Sequence, residues 1–361
     1  MDSAVTDFRL PSTMRAVRLA EFGPPDVLAV EEIPTREPAS GEVLVRVAYC
    51  GICRHDILSR QGAFPNVIPP VTPGHQISGQ VVMVGEGVDH SWLGRSVTTM
   101  LTIGCGWCAK CVEGNPAKCL EMRAEFLGDD RDGGCADYIA LSQEALVELP
   151  EGMRLVDAAV ANCTVGTAYH AAVTRGRFEP GETVVVTGAT GGVGIHAIKL
   201  MSHLGIRCLA VTSREGKSDL LKSAGADEVI VAPDLSFAAR VRELCGGARA
   251  DAVLDIVGAR TLPESMRAVR DGGRVVVLGN VDGAESTIKP ALLILREISI
   301  IGTGSATKDE LAEVLRLVSS GAVPIEIDRV FALEEAAEVH KLMEAGDLRG
   351  RAVLKIGGEA T

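Results

Sequence analysis

No run in the 361-residue sequence approaches the roughly 18 uninterrupted apolar residues that a transmembrane helix requires. The stretch PALLILREISIIG is broken by Arg296 and Glu297, so no membrane-spanning helix is expected. The opening MDSAVTDFRLPST carries acids and no apolar core, which argues against a secretion signal. Positive charge is also scarce. Lys and Arg total 36 against 48 Asp and Glu, a net charge of −12, so the surface has no bulk attraction for nucleic acid or anionic lipid. Aromatic residues make up only 3%, and there is no internal repeat or low-complexity linker. What is abundant is apolar residues, at 47%, and 40 glycines, a balance suited to an α/β protein rich in Val, Ala and glycine turns. Ten cysteines in a large chain without a secretion signal imply a reducing compartment, the cytoplasm, and metal ligation rather than disulfides.

The first half is punctuated by Gly and Pro, with short alternating segments such as EVLVRVAYC and SGQVVMVGEGV that predict an irregular, largely antiparallel β domain. From about residue 165 the texture changes. ETVVVTGAT reads as a strand buried on both faces, and GVGIHAIKLMSHLG as a helix ending at Gly205 with Val193, Ala197, Leu200, Met201 and Leu204 on one face. RCLAVT, EVIVA, DAVLDIV and RVVVLG then alternate as strands with the helices KSDLLKSAGA, SFAARVRELCGG and TLPESMRAVRDGG. That alternation predicts a doubly wound parallel sheet with right-handed crossovers. After about Ser305 come two amphipathic helices, KDELAEVLRLVSSG and LEEAAEVHKLMEAG, and a last strand GRAVLKI.

Three motifs carry chemistry. CGWCAKCVEGNPAKC places Cys105, Cys108, Cys111 and Cys119 within one short, turn-rich stretch. Four thiolates close a tetrahedral zinc shell with no open position, which makes the expected site structural. A nucleic-acid-binding zinc ribbon is disfavoured by the acidic balance and the absence of neighbouring basic or aromatic clusters. TGATGGVG, residues 187–194, joins a strand to a helix, and its glycines allow close backbone approach of a pyrophosphate to the helix N-terminus. In a dinucleotide fingerprint Ala189 takes the first glycine position, followed by Gly191 and Gly194; Gly188, Gly192 and Val193 complete the cradle. The next strand ends in VTSREGK, where an acid at the strand end would receive a ribose 2′-hydroxyl and Thr212, Ser213 and Arg214 stand instead. Thr212, Ser213, Arg214 and Lys217 suit a 2′-phosphate, so NADP(H) is expected over NAD(H). YCGICRHD, residues 49–56, is ambiguous alone: Cys50 and Cys53 could form a redox dithiol, half a zinc knuckle, or one ligand beside a buried thiol.

Taken together, CGICRHD, PGHQ, the four-cysteine lobe and NCTVGTAY ahead of a dinucleotide fold resemble the zinc-containing medium-chain dehydrogenase/reductase family, over about residues 14–357. The resemblance implies a GroES-like catalytic domain over 1–164 with its zinc lobe at about 105–119, a Rossmann domain over 165–304, and a return to the catalytic domain over 305–361. It implies that Cys53, His75 and Cys163 hold a catalytic zinc, with a fourth position for water or a substrate oxygen. Cys50 is then a buried neighbour. Asp56 matches the carboxylate that orients the zinc histidine. Arg54 and Arg351 match residues that reach the cofactor pyrophosphate, Thr167 matches a nicotinamide neighbour, and Gly279 and Asn280 of LGNVDG join the cofactor set.

Two departures stand out. The family's Glu beside the zinc histidine is Gln76 here, which leaves the zinc more electrophilic. The hydroxyl residue that begins the alcohol's proton relay is replaced by His55, a candidate proton carrier, and the relay's terminal histidine position is Leu58. GGVGIHAIK, LGNVDG and IIGTGSATKDEL are similar to the acryloyl-CoA reductase-like branch of the family. The expected function is therefore a zinc-dependent alcohol dehydrogenase or carbonyl reductase carrying two zinc ions and NADP(H). It acts on a small-molecule alcohol or carbonyl compound, with no nucleic-acid or membrane partner, and forms a homodimer or homotetramer. The alternatives are an NADPH-dependent enoyl-thioester reductase and a non-catalytic dinucleotide-binding protein.

Overall fold

A computed structural model describes residues 8–357. The start of the segment judged free of a secretion signal, through Asp7, lies outside them. The chain forms two compact units. The first runs to Cys163 and also contains Thr307–Ser319 and everything from Ile327; the second is Thr164–Ala306 with Ser320–Glu326. Assigning Ser320–Glu326 to the second unit differs from the sequence reading, which gave the whole tail to the catalytic domain.

In the first unit the strand Glu42–Ile52 is the backbone of a seven-stranded sheet. It pairs antiparallel with Gln76–Val84, Arg351–Lys355 and Tyr138–Ser142. Eight of its residues from Val43 to Ile52 are apolar and buried, which is why it sits inside the sheet and not at its rim. Val43, Val45 and Val47 join Ile77, Val97 and Leu141 in one core, and each such buried side chain contributes roughly 1.5–3 kcal/mol. The register sets Gly51 against Gln76 and Ile52 against Ala352, so the end of one strand meets the beginnings of two others.

The second unit is built on six parallel strands. In order of chain position they lie 3-2-1-4-5-6: Glu228–Val231, Arg207–Thr212, Thr183–Val186, Ala250–Asp255, Val269–Val277 and Ser299–Gly302. This is the Rossmann order, and its switch point falls between Thr183–Val186 and Ala250–Asp255. Val184, Val185 and Val186 are fully buried, consistent with a strand covered on both faces.

Two details differ from the periodicity. The helix Gly192–His203 also buries Ile195, His196 and Ile198, on more than one face. Segment 320–326 meets this helix at two polar side chains: Glu326 N–H donates to His196 Nε2 at 2.9 Å, and Lys199 Nζ donates to the Pro324 carbonyl at 3.1 Å. Second, the helix read through TLPESMRAVRDGG stops at Ala268, because Val269 pairs with Ala250 and the chain continues as a strand.

Candidate active site and metal centres

The junction of the three strand ends builds the first site. Cys53 follows Ile52 and caps the helix Arg54–Arg60, its Sγ accepting the His55 N–H at 3.3 Å. Asp56, one turn into that helix, is buried and accepts the Cys53 N–H at 2.7 Å. Its other oxygen lies 3.2 Å from His75 Nδ1, so one carboxylate braces both residues. His75 enters from the opposite side, immediately before Gln76–Val84. The turn that aims it needs glycine: Gly74 has φ +104°, and a Cβ there would lie 2.6 Å from Cys50 Sγ and 2.7 Å from Cys135 Sγ.

His75 Nε2 lies 3.3 Å from Cys53 Sγ, and with Cys163 the three donor atoms all fall within 4.8 Å of one another. A hydrogen bond shared with Cys163 holds the Cys53 thiol well below the ordinary range, helped by the nearby His75. The same shared proton pushes Cys163 well up. Burial opposes a charge on His75, but Asp56 and the Cys53 thiolate outweigh it and raise its pKa. Hydrogens are thus shared and crowded among two sulfurs and one imidazole that one cation can bind in their place. Two thiolates and one imidazole at this spacing fit zinc, and three ligands leave one position open.

The second cluster is closed. Cys105 Sγ lies 3.9 Å from Cys111 Sγ, and Cys108 Sγ 3.9 Å from Cys119 Sγ. Metal–sulfur bonds of about 2.3 Å give a tetrahedral edge of roughly 3.8 Å, so the four sulfurs already stand at zinc spacing. Backbone N–H groups point at them: Cys105 N–H donates to Cys119 and Leu120 N–H to Cys108, both at 3.4 Å. These donors bring Cys119 down to about 6 and lower Cys108, whereas burial pushes Cys111 up to about 12.

Gln76 Oε1 accepts from Arg351 at 2.7 Å, and both residues are buried. Gln76 Nε2 and Arg351 Nε have no hydrogen-bond partner among the described residues. Arg351, matched by family resemblance to the pyrophosphate, is therefore turned into the first unit with only 5% of its surface exposed. Arg54 is exposed. Cys50 is fully buried, 3.6 Å from Cys135 Sγ, and not in the ligand cluster.

His55 is held by residues that sequence reasoning missed. Its Nε2 lies 2.6 Å from Asp129 Oδ2, and Ser59 donates to Asp129 Oδ1 at 2.7 Å. Phe64 stacks on the imidazole and Phe126 tilts against it, both with centroids 4.5 Å away. The His75 ring stands edge-on at 5.3 Å. Asp129 is 74 positions from His55, inside GDDRDGG, with no motif to join them.

In the second unit the glycine-rich turn follows Val186, and Gly191 caps the helix Gly192–His203 with no side chain over its N-terminus. Gly194 has no room for a Cβ, which would lie 2.4 Å from the Gly188 carbonyl. Asp255, fully buried, was not foreseen. It accepts from Thr187 and Thr261 hydroxyls at 2.9 and 2.6 Å and from Gly258 N–H at 3.0 Å, tying the turn's base to the neighbouring strand end. Thr212 is buried at the end of Arg207–Thr212 and accepts the Arg214 N–H at 3.1 Å. Ser213 and Arg214 are exposed, and Lys217 caps the helix Ser218–Ser223. Thr167 stands at the start of the short helix Thr167–Tyr169. Gly279 and Asn280 follow Val269–Val277, where Asn280 Nδ2 donates to the Ala284 carbonyl at 3.0 Å. Among the described residues no helix is long and apolar enough to cross a membrane.

A Rossmann unit and a β unit that carries one open and one closed cluster of candidate metal ligands define a class: a nicotinamide-dependent oxidoreductase of the zinc-binding type. Comparison with known proteins makes the class specific. Residues 39–151 match the alcohol dehydrogenase GroES-like domain, and residues 192–320 match the zinc-binding dehydrogenase domain. The chain is 32% identical to acryloyl-coenzyme A reductase of Sulfurisphaera tokodaii, covering 92% of this chain and 98% of that one. It is also 32% identical to an alcohol dehydrogenase of Geobacillus stearothermophilus, over 95% of this chain and 100% of that one. The crystal structure of AibC superposes with a TM-score of 0.91 at 37% identity, covering 99% of each chain. The protein belongs to the zinc-containing medium-chain dehydrogenase/reductase family.

Proposed function

We propose that this oxidoreductase interconverts an alcohol and an aldehyde or ketone, prefers NADP(H), and carries two zinc ions per chain. The observation that carries the reading is the ligand set Cys53, His75 and Cys163, three donors braced by Asp56 with the fourth position free for a substrate oxygen. A zinc ion bound there supplies Lewis-acid polarisation of that oxygen. The chain's own residues do the rest. Asp56 keeps the ligand atoms converged, the Gln76–Arg351 pair sets the charge behind them, and His55 offers the substrate hydroxyl a hydrogen-bond partner. Thr212, Ser213, Arg214 and Lys217 favour a 2′-phosphate, since Thr212, Ser213 and Arg214 occupy the positions where an acid would repel it.

The second reading is reduction of an enoyl thioester. It is favoured by the acryloyl-coenzyme A reductase relative and by an imidazole standing where the family's alcohol-relay hydroxyl is found. An NADPH-oxidation screen across aldehydes, ketones and enoyl-CoA esters separates the two. Turnover of carbonyl compounds that is lost on zinc removal supports the first, and turnover confined to enoyl esters establishes the second. In the same assay kcat/KM is expected to be higher with NADPH than with NADH, and Arg214→Ala to shrink the gap. Equal or better use of NADH overturns the cofactor assignment.

A further inference from the structure

Asp129 carries a burden that the zinc chemistry does not assign. Its side chain is 4% exposed, so an ionised carboxylate there needs partners for both oxygens. It has them: Ser59 Oγ, at 2.7 Å, serves Oδ1, and His55 Nε2, at 2.6 Å, serves Oδ2. A carboxylate only accepts, so the hydrogen in the second contact belongs to the imidazole, and Nε2 is its protonated nitrogen. In the neutral ring the lone pair is then on Nδ1. The single Ser59 hydroxyl hydrogen lies between Asp129 Oδ1 and the His55 carbonyl, the latter 3.0 Å away and one turn back on the same helix, with the shorter contact to the carboxylate. Phe64, stacked within 18° of the ring plane, and Phe126 restrict ring rotation, so three contacts define one orientation. The ring so held stands 5.3 Å, centroid to centroid, from the zinc-ligand candidate His75.

We propose that Asp129, supported by Ser59, is a positioning residue that fixes the tautomer and ring plane of His55, leaving Nδ1 as the acceptor for the substrate hydroxyl. This rests on the carbonyl–alcohol reading of the site. It also gives His55 a defined role: with Nε2 committed to Asp129, the ring serves the substrate as an acceptor at one atom. An orienting carboxylate of this kind controls which nitrogen carries the hydrogen without touching the substrate.

The test is nitrogen NMR of the zinc-loaded enzyme labelled at histidine, which reports the tautomer directly, alongside kinetics of wild type, Asp129→Ala, Asp129→Asn and Ser59→Ala. Wild-type His55 is expected as the Nε2–H form. Asn places an amide donor against Nε2 and is expected to invert the tautomer. kcat should fall about 10- to 100-fold, the scale of one charge-assisted hydrogen bond, while cofactor KM and zinc content hold. Ser59→Ala should give a smaller loss in the same direction. In the His55→Ala background, Asp129→Asn should cost nothing further. An unchanged tautomer in Asp129→Asn, or a full additional loss in the double variant, overturns the proposal. If Asp129→Ala folds poorly, the near-isosteric Asn variant still decides it. The spectrum needs no turnover, so an enzyme inactive on every carbonyl compound but showing the tautomer inversion sinks the substrate reading and leaves the positioning role standing.

Discussion

At the scale of single residues, the two cysteine clusters differ in one respect that controls their chemistry: one has four donors and the other three. Substitution should separate them. Wild-type protein is expected to contain two zinc ions per chain by elemental analysis, and Cys53→Ser one, with little change in melting temperature. Cys105→Ser is also expected to contain one, but with clear destabilisation, because a structural zinc contributes directly to folding. Loss of both ions from either variant refutes independent sites. Gln76 is the residue whose consequence is least visible from its type. Its amide oxygen holds the buried Arg351, so the positive charge lies behind the ligand cluster, where it helps lower the Cys53 thiol.

At the scale of elements, the glycine-rich turn depends on distance more than on sequence. The helix Gly192–His203 begins so close to the turn that a Gly194 Cβ would meet two carbonyl oxygens, of Gly188 at 2.4 Å and Ala189 at 2.7 Å. Gly194→Ala is therefore expected to push the turn outward and weaken NADPH binding at least 10-fold by fluorescence titration, since the first-turn N–H groups no longer converge on the pyrophosphate. Zinc content should stay at wild-type level, which distinguishes a displaced turn from global unfolding. Unaltered NADPH affinity disproves the role given to this turn. The helix Arg54–Arg60 likewise works by position. Cys53, His55, Asp56 and Ser59 all act from its first turns, so one short element supplies a ligand, its brace and the imidazole's support.

At the scale of the whole chain, the last segment reaches back to that helix. Arg60, only 1% exposed, pairs with Glu344 from the helix Ala336–Ala345, 284 positions away. His340, one turn before Glu344, is buried beside them. Burial lowers its pKa to about 4; Asp56, Glu344 and Cys53 oppose the shift and Arg60 adds to it. A depressed histidine pKa means that the unfolded chain binds the proton more readily. The stabilisation is then fully present above the ordinary 6.5 and is lost as pH falls toward 4. The melting temperature should decline across that window, by an amount equivalent to at most about 3 kcal/mol. His340→Gln should flatten the decline. An equal decline in that variant places its origin elsewhere.

Much of this protein was decided by sequence alone because its signals are local. Four cysteines in one turn-rich stretch, glycines between a strand and a helix, and strands alternating with helices are each contained within a few tens of residues. Chain connectivity already places their members together. The Rossmann unit and the four-cysteine set were legible for that reason, whereas Cys53, His75 and Cys163, far apart in the chain, were named only through family resemblance. What only the tertiary structure decided are contacts between distant segments that share no period: Asp129 with His55, Arg351 with Gln76, and Arg60 with Glu344. The same holds for His196 and Lys199 on the helix Gly192–His203, whose hydrogen-bond partners Glu326 and Pro324 lie more than a hundred residues further on. Periodicity reports which face of an element is apolar. It carries no information about which distant polar group a buried charge must find, because that partner is set by the strand register and helix packing that bring the two together.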